Sequence, residues 1–182
     1  MKRIMVTGVS PGVGKSTFAR RLGEILHISV YHLDTLYWKP GWVETSIGEF
    51  SKSQQEIVHR ERWIMEGNYS STMEIRAEQA DTIIYLELPL WICLFRVFKR
   101  WLTYRGRTRP DLGEGCKEKI DWHFIQFIYT TYDSRRKKMA ERFRKFQAAD
   151  AKKEIILLKS KQEIHSFLEN LELREEGNPT SR

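Results

Sequence analysis

Cysteine is scarce in this chain: two residues in 182, Cys93 inside an apolar run and Cys116 inside a polar one. That pair makes neither a disulfide framework nor a zinc set, and the five histidines lie scattered. No uninterrupted apolar stretch approaches the ~18 residues that a membrane span needs. The opening Met-Lys-Arg-Ile-Met-Val gives way to glycine before a signal-peptide apolar segment can form. A secreted protein, a membrane protein and a zinc module are therefore not expected; a reduced, cytoplasmic setting is. The chain also lacks repeats, low-complexity segments and a dividing linker. Its length suits one domain, expected over residues 1–172, with a flexible tail over 173–182.

Acidic residues are missing from a particular place. Leu88 to Pro110 holds six basic residues and no acid, and Arg135 to Lys145 holds seven basic residues against Glu141 alone. These segments carry +12 of a net +7, leaving the rest of the chain at −5. A coat for nucleic acid is usually spread more widely over a surface. Charge gathered this way points to a polyanion held at one place, with solvated helix faces as the plain alternative.

What is present is an alternation of apolar runs and helical patterns. Lys2–Thr7, Ile28–His32, Arg62–Glu66, Asp81–Glu87 and Glu154–Leu158 read as five buried strands. Ser16–His27, residues 47–60, Leu90–Tyr104, residues 121–149 and Gln162–Leu171 carry the three-four spacing of helices. Thr35–Ser46 and Arg105–Gly115, rich in Gly, Pro and charge, read as loops. Strands alternating with helices predict an α/β fold: a five-stranded parallel sheet covered by helices on both faces.

The sharpest motif is Gly8-Val-Ser-Pro-Gly-Val-Gly-Lys-Ser-Thr17, set between a strand and a helix. Glycines let backbone N–H groups turn inward onto phosphate oxygens, and the helix N-terminus adds its positive end. Gly12, Val13, Gly14, Lys15, Ser16 and Thr17 would hold ATP, with Lys15 on the β- and γ-phosphates and the Ser16 hydroxyl on Mg²⁺. The strict pattern asks for Gly six places before the lysine, where this chain has Val9; Gly8 stands one place earlier. A loop one residue longer, with Gly12 and Gly14 in register, accounts for that.

Pro11-Gly12-Val13-Gly14-Lys15 resembles the phosphate loop of adenylate-kinase-like nucleoside monophosphate kinases. Further landmarks are His32-Leu33-Asp34, Trp38-Lys-Pro-Gly-Trp42, Trp63-Ile-Met-Glu-Gly67-Asn68-Tyr69 and Tyr104-Arg-Gly-Arg-Thr-Arg-Pro110. Together they resemble the adenylate-kinase-related bacterial group often labelled topology modulation proteins, from Met1 to roughly Leu171. The resemblance implies a P-loop, nucleoside-monophosphate-kinase-like fold, ATP binding and an arginine-rich lid over about residues 100–120. It supplies no acceptor, and the topology label is no evidence of an activity on DNA.

Asp34 follows the second strand at the sheet edge where open α/β folds bind ligands. In related kinases an acid here contacts the acceptor hydroxyl or a metal-bound water; the alternative is an Asp that caps a turn. Glu66 ends the third strand where monophosphate kinases often carry Asp-Gly, so it is a candidate base or a ligand to Mg²⁺ through water. A strand-end carboxylate bonded to nearby N–H groups is its other reading. Arg100, Arg105, Arg107 and Arg109 surround the lid, whose arginines stabilise the transferring group in related kinases. Arg105 and Arg109 are the two favoured for catalysis, and Arg100 and Arg135 for nucleotide binding. Arg135 falls in the apolar seam of the long helix, where either a bound anion or snorkelling would accommodate it. Trp38 and Trp42 stack on an acceptor ring or pack their own loop.

The sequence therefore predicts a P-loop kinase moving the γ-phosphate of MgATP to a small molecule, a nucleoside, nucleotide or similar acceptor. The rival is a nucleotide-dependent regulatory protein that places its basic lid and helix on nucleic acid, with residual ATPase activity.

Overall fold

The structure, a computed structural model, describes residues 1–109, 111–113 and 115–177. Pro110 and Glu114 of the expected lid, and 178–182 of the expected tail, lie outside the described residues. Five parallel strands form the sheet: β1 (Arg3–Gly8), β2 (Val30–His32), β5 (Trp63–Glu66), β6 (Thr82–Leu86) and β7 (Glu154–Leu158), ordered β2-β5-β1-β6-β7. The three central strands are apolar and buried almost throughout, while β2 and β7 at the edges are only partly covered. Continuous apolar runs are the signature of strands covered on both faces. All five strands lie where the sequence predicts them.

The helices are α1 (Lys15–Leu26), α2 (Leu33–Tyr37), α3 (Ile47–Val58), α4 (Met73–Gln79), α5 (Leu90–Tyr104), α6 (Trp122–Ala149) and α7 (Lys161–Glu176). Local chemistry fixes their starts. At α3 the Ser46 hydroxyl accepts from the Glu49 N–H while Glu49 reaches back to the Ser46 N–H, a reciprocal cap. Asp121 accepts from the Phe124 N–H at the start of α6, and Ser160 from that of Glu163 at α7. Helix α7 runs to Glu176, so the first residues of the expected tail are helical.

The structure departs from the sequence reading at two connections. Thr35–Ser46 is not an open loop. It finishes the single turn of α2 and then forms an antiparallel hairpin of β3 (Trp38–Lys39) and β4 (Val43–Glu44), turned by Gly41 and Trp42 at φ of 78° and 66°. Helix α4 goes unread in the sequence because it is short and carries a charged residue, Arg76, on its buried side. The Lys153 ammonium, itself buried, donates to the carbonyls of Ala77 and Ala80 and so closes the C-terminal end of α4. Among the described residues no helix is long and apolar enough to cross a membrane.

Candidate active site

The chain leaves central β1 to reach edge strand β2, and leaves β5 to reach β6 on the other side of β1. The crevice at such a reversal, outside the carboxyl ends of the strands, is where open α/β sheets hold ligands. Here it is a cavity of about 1800 Å³, whose lining includes the 11–17 loop, His32, Asp34, Glu66 and Asn68. Arg96 and Arg100 of α5, Arg109 of the lid, and Arg135 and Arg142 of α6 reach it as well.

The phosphate loop is shaped by two glycines. Gly12 has φ +80°, and an added Cβ would collide with the Cys93 carbonyl oxygen and fall 2.8 Å from Val97 Cγ2 of α5. Gly14 has φ +105°, and a Cβ there would sit 2.9 Å from Arg96 Nη1. Both positions thus need glycine for backbone conformation and for space. Val9, the departure from the strict motif, is fully buried, and its N–H bonds the Leu86 carbonyl at 2.9 Å. The additional residue prolongs the β1–β6 pairing before the loop begins.

Helix α1 starts at Lys15 with no capping side chain and no acid in its first turn. Its first N–H groups are left facing the cavity, a positive pole that suits an anion. Two side chains brace the loop. Arg96 Nη1 donates to the Val13 carbonyl at 2.7 Å, and Asn68 Oδ1 accepts from the Gly8 N–H at 3.0 Å and the Thr7 hydroxyl at 2.9 Å. The sequence offered no signal for either role, since Arg96 reads as a helix-face cation and Asn68 as a turn residue.

Opposite the loop stand the carboxylates. Asp34 lies in α2, two residues beyond the end of β2, and its Oδ1 accepts from the Tyr69 hydroxyl at 2.6 Å. Burial first, and then the nearby Glu66 charge, push the Asp34 pKa up; Tyr69, Lys15 and Arg109 pull it back in part. Glu66, 5% exposed, accepts from or donates to His32 Nδ1 at 2.9 Å according to protonation. The His32 pKa is raised: burial opposes the charged ring, and the Glu66 carboxylate outweighs it. His32 is a site residue that the sequence reading passed over.

The arginines divide. Arg100 Nε bonds Glu118 Oε1 at 3.0 Å, and Arg109 Nε lies 2.7 Å from Glu118 Oε2, with its Nη1 on Asp111 at 3.0 Å. Arg135 lies with its guanidinium 4.3 Å from the Phe127 ring centre, and burial lowers its pKa. Arg105 does not join them. It is exposed, outside the cavity lining, with its guanidinium 5.2 Å from the Trp101 ring centre. Backbone bridging of Arg105 and Thr108 to Glu118 and Lys117 holds this arm of the lid. Trp38 and Trp42 pack edge to face, 5.2 Å between ring centres, and Trp42 Nε1 donates to the Lys117 carbonyl at 3.0 Å. The pair docks the hairpin on Lys117, and both rings also line the cavity, so packing and stacking can be combined here.

Among the described residues no group of three His, Cys, Asp or Glu side chains could hold a metal by itself. Magnesium that travels with nucleotide phosphates needs no such cage, because phosphate and water oxygens fill most of its shell. Ser16, first-turn residue of α1 on the cavity wall, fits as the one hydroxyl ligand, with Glu66 across from it.

No protein-family model matches this sequence, and no curated protein matches it. Solved structures do match by shape. A gluconokinase from Sinorhizobium meliloti superposes with a TM-score of 0.53 at 13% identity, covering 97% of this chain and 92% of that one. A shikimate kinase from Acinetobacter baumannii in complex with shikimate gives 0.50 at 14%, covering 100% and 96%. An unliganded sugar kinase from Janibacter gives 0.50 at 14%, covering 96% and 91%. At such identities the likeness establishes the architecture alone: the chain has the P-loop fold of the shikimate and gluconate kinases.

Proposed function

We propose that this protein is an ATP-dependent kinase of a small molecule. The observation that carries the reading is one cavity in which the uncapped N-terminus of α1, with Lys15, faces Asp34 and is overlooked by Arg96, Arg100 and Arg109. A polyphosphate fits the first side, and a hydroxyl acceptor fits the second.

In this reading the N–H groups of residues 12–17 and the Lys15 ammonium hold the β- and γ-phosphates. Ser16 Oγ would hold Mg²⁺, which would supply neutralisation of the negative charge on the phosphates. Asp34, held in place by Tyr69, aims the acceptor hydroxyl at the γ-phosphorus and receives its proton. The acceptor oxygen bonds phosphorus as the bond to the bridging oxygen breaks, and ADP leaves with that electron pair. Charge that spreads over the equatorial oxygens meets Arg100 and Arg109. Glu66, paired with His32, orients water about the metal or serves as the alternative base. Arg135 extends the nucleotide side of the site.

Arg96, Arg100, Arg109, Arg135, Lys138 and Arg142 of the two basic segments line the cavity, which favours a small anion over a nucleic acid. The finer kinship to the adenylate-kinase-related topology modulation group rests on the sequence motifs. A cytoplasmic location suits the two buried free thiols, Cys93 and Cys116. The test is ADP production across nucleosides, nucleotides, sugars and small acids, in wild type and Lys15→Ala. An acceptor that stimulates release in wild type alone supports the reading; equal MgATP affinity and equal turnover in both proteins overturn it.

A further inference from the structure

Two guanidiniums that share one partly dry cavity repel each other, and the Arg100 pKa is lowered by burial and then by the Arg109 charge. They arrive from separate segments, Arg100 from the last turns of α5 and Arg109 from the lid. What lies between them is Glu118, its side chain 3% exposed. Each of its oxygens faces one arginine at the Nε edge: Arg100 Nε donates to Oε1 at 3.0 Å, and Arg109 Nε lies 2.7 Å from Oε2 as an ion pair whose angle makes no hydrogen bond among the described residues. Glu118 is itself fixed by its backbone N–H on the Arg107 carbonyl at 2.9 Å and by its bridge to Arg105.

A carboxylate that met both forks end-on would consume the nitrogens a phosphate needs. Held at Nε instead, Arg100 keeps both terminal nitrogens free of hydrogen bonds among the described residues. Arg109 gives up only Nη1, to Asp111 at 3.0 Å. We infer that Glu118 is a positioning residue: it fastens Arg100 and Arg109 by their inner edges so that their outer nitrogens face the transferring phosphoryl group together. The inference rests on the kinase reading above, whose arginine pair it explains. In sequence Glu118 stands between Lys117 and Lys119 and reads as a solvated loop acid.

The test needs no acceptor, because water can take the phosphoryl group. MgATP hydrolysis and MgATP affinity are measured for wild type, Glu118→Gln, Glu118→Asp, Arg109→Ala and the Glu118→Gln/Arg109→Ala pair, beside Lys15→Ala. Misplacing a catalytic group by an ångström costs ~10²-fold in rate. Glu118→Gln should therefore lower kcat by tens to a hundredfold while MgATP affinity changes less than about threefold. The double variant should be little worse than Arg109→Ala, since both changes remove one unit. Glu118→Asp keeps the cluster neutral and the fold safe, yet is too short to reach both arginines, and should lose about tenfold. A Glu118→Gln that hydrolyses faster or binds MgATP more tightly would make Glu118 a competitor for phosphate and overturn the inference. So would full rates in Glu118→Asp, or strictly additive losses in the pair. If Lys15→Ala impairs the protein and the Glu118 variants do not, this inference fails alone; a wild type indifferent to Lys15→Ala fails the kinase reading with it.

Discussion

The Tyr69 hydroxyl donates to Asp34 Oδ1 at 2.6 Å, joining the connection after β5 to the first turn after β2 across the mouth of the cavity. The bond occupies one of the two carboxylate oxygens of Asp34. Asp34 titrates above the ordinary carboxylate range, with burial as the main cause and the Glu66 charge as the second.

Replacing Asp34 by Asn keeps the acceptor for Tyr69 but removes the base. Acceptor phosphorylation should fall by ~10²-fold or more, while MgATP affinity moves little. In wild type the rate should decline as pH drops through the raised Asp34 value, and Tyr69→Phe should shift that limb further upward, because it deletes a bond that favours the charged form. Stability follows the opposite sense. A carboxylate whose folded pKa is raised binds its proton more tightly in the native state, so wild type loses stability as pH rises through the interval between the unfolded and folded values. Asp34→Asn should thus melt higher than wild type near neutral pH, with the gap closing in acid; a gap that persists in acid would remove this account.

Two glycines with similar backbone angles should behave differently on substitution. Gly41→Ala, at φ +78° with nothing among the described residues within 4 Å of an added Cβ, should cost only the left-handed conformation, ~1–2 kcal/mol. Gly12→Ala must bear that cost and also push α5 away at Cys93 and Val97, for ~3 kcal/mol or more. It should weaken MgATP binding too, because α5 carries Arg96 into the loop. Urea melts and calorimetry on the two variants decide it; equal midpoints would mean the loop and α5 are not packed as described.

The arginines of the lid should separate by function. Arg109→Ala should lower turnover by ~10²-fold or more, as the loss of one preorganised donor to a developing anion typically does. Arg105→Ala, outside the cavity lining and beside Trp101, should change the rate less than threefold and MgATP affinity no more. Side-by-side steady-state assays make the comparison, and matching losses would return Arg105 to the site.

Arg105 also shows what a sequence can say about such a place. Composition and the alternation Arg105-Gly-Arg107-Thr-Arg109 locate a cationic lid, but which cation turns inward depends on bridging between residues 105–108 and 117–118 that no local pattern encodes. The five strands were legible because burial on both faces leaves continuous apolar runs such as Thr-Ile-Ile-Tyr-Leu at β6. The phosphate loop was legible because Gly12 and Gly14 have no substitutes. Arg96 and Glu118 were not. Each is a charge whose partner lies far along the chain, Val13 for one and Arg100 and Arg109 for the other, and a charged residue without a visible partner reads as surface. Helix α4 fails for the same reason: Arg76 sits with 0% exposure where the pattern calls for an apolar side chain.

Arg76 gives its own prediction. Burial lowers its pKa to about 10; among the described residues its Nε and Nη1 have no hydrogen-bond partner, and its one bond there is a long one, Nη2 to the Tyr69 carbonyl at 3.4 Å. A cation lodged this way costs more in desolvation than one bond returns, and apolar side chains of like volume often replace such groups without loss. Arg76→Met should hold stability at neutral pH or raise it by ~1 kcal/mol, worth about 2–4 °C in a chain of this size.

The His32–Glu66 pair makes the last prediction, again from a sign. The folded His32 pKa lies above its ordinary value, because the Glu66 hydrogen bond and charge outweigh the burial that opposes them. The native state therefore holds that proton more tightly than the unfolded chain does. Its contribution is fully present below the unfolded histidine value and is lost as pH rises through the raised folded one. With a side-chain exposure of 19% for His32 and 7% for Glu66, solvent screens the pair only in part. The charged hydrogen bond, net of burial, is worth about 1 kcal/mol. His32→Gln keeps a donor for Glu66 but carries no titrating charge. Urea midpoints of wild type and variant should differ most near pH 5.5 and converge above the raised His32 value. If the difference is instead flat across that range, folding does not shift the His32 proton and the Glu66 pairing adds nothing to it; a difference that widens with rising pH would mean that the ring is held neutral in the folded protein.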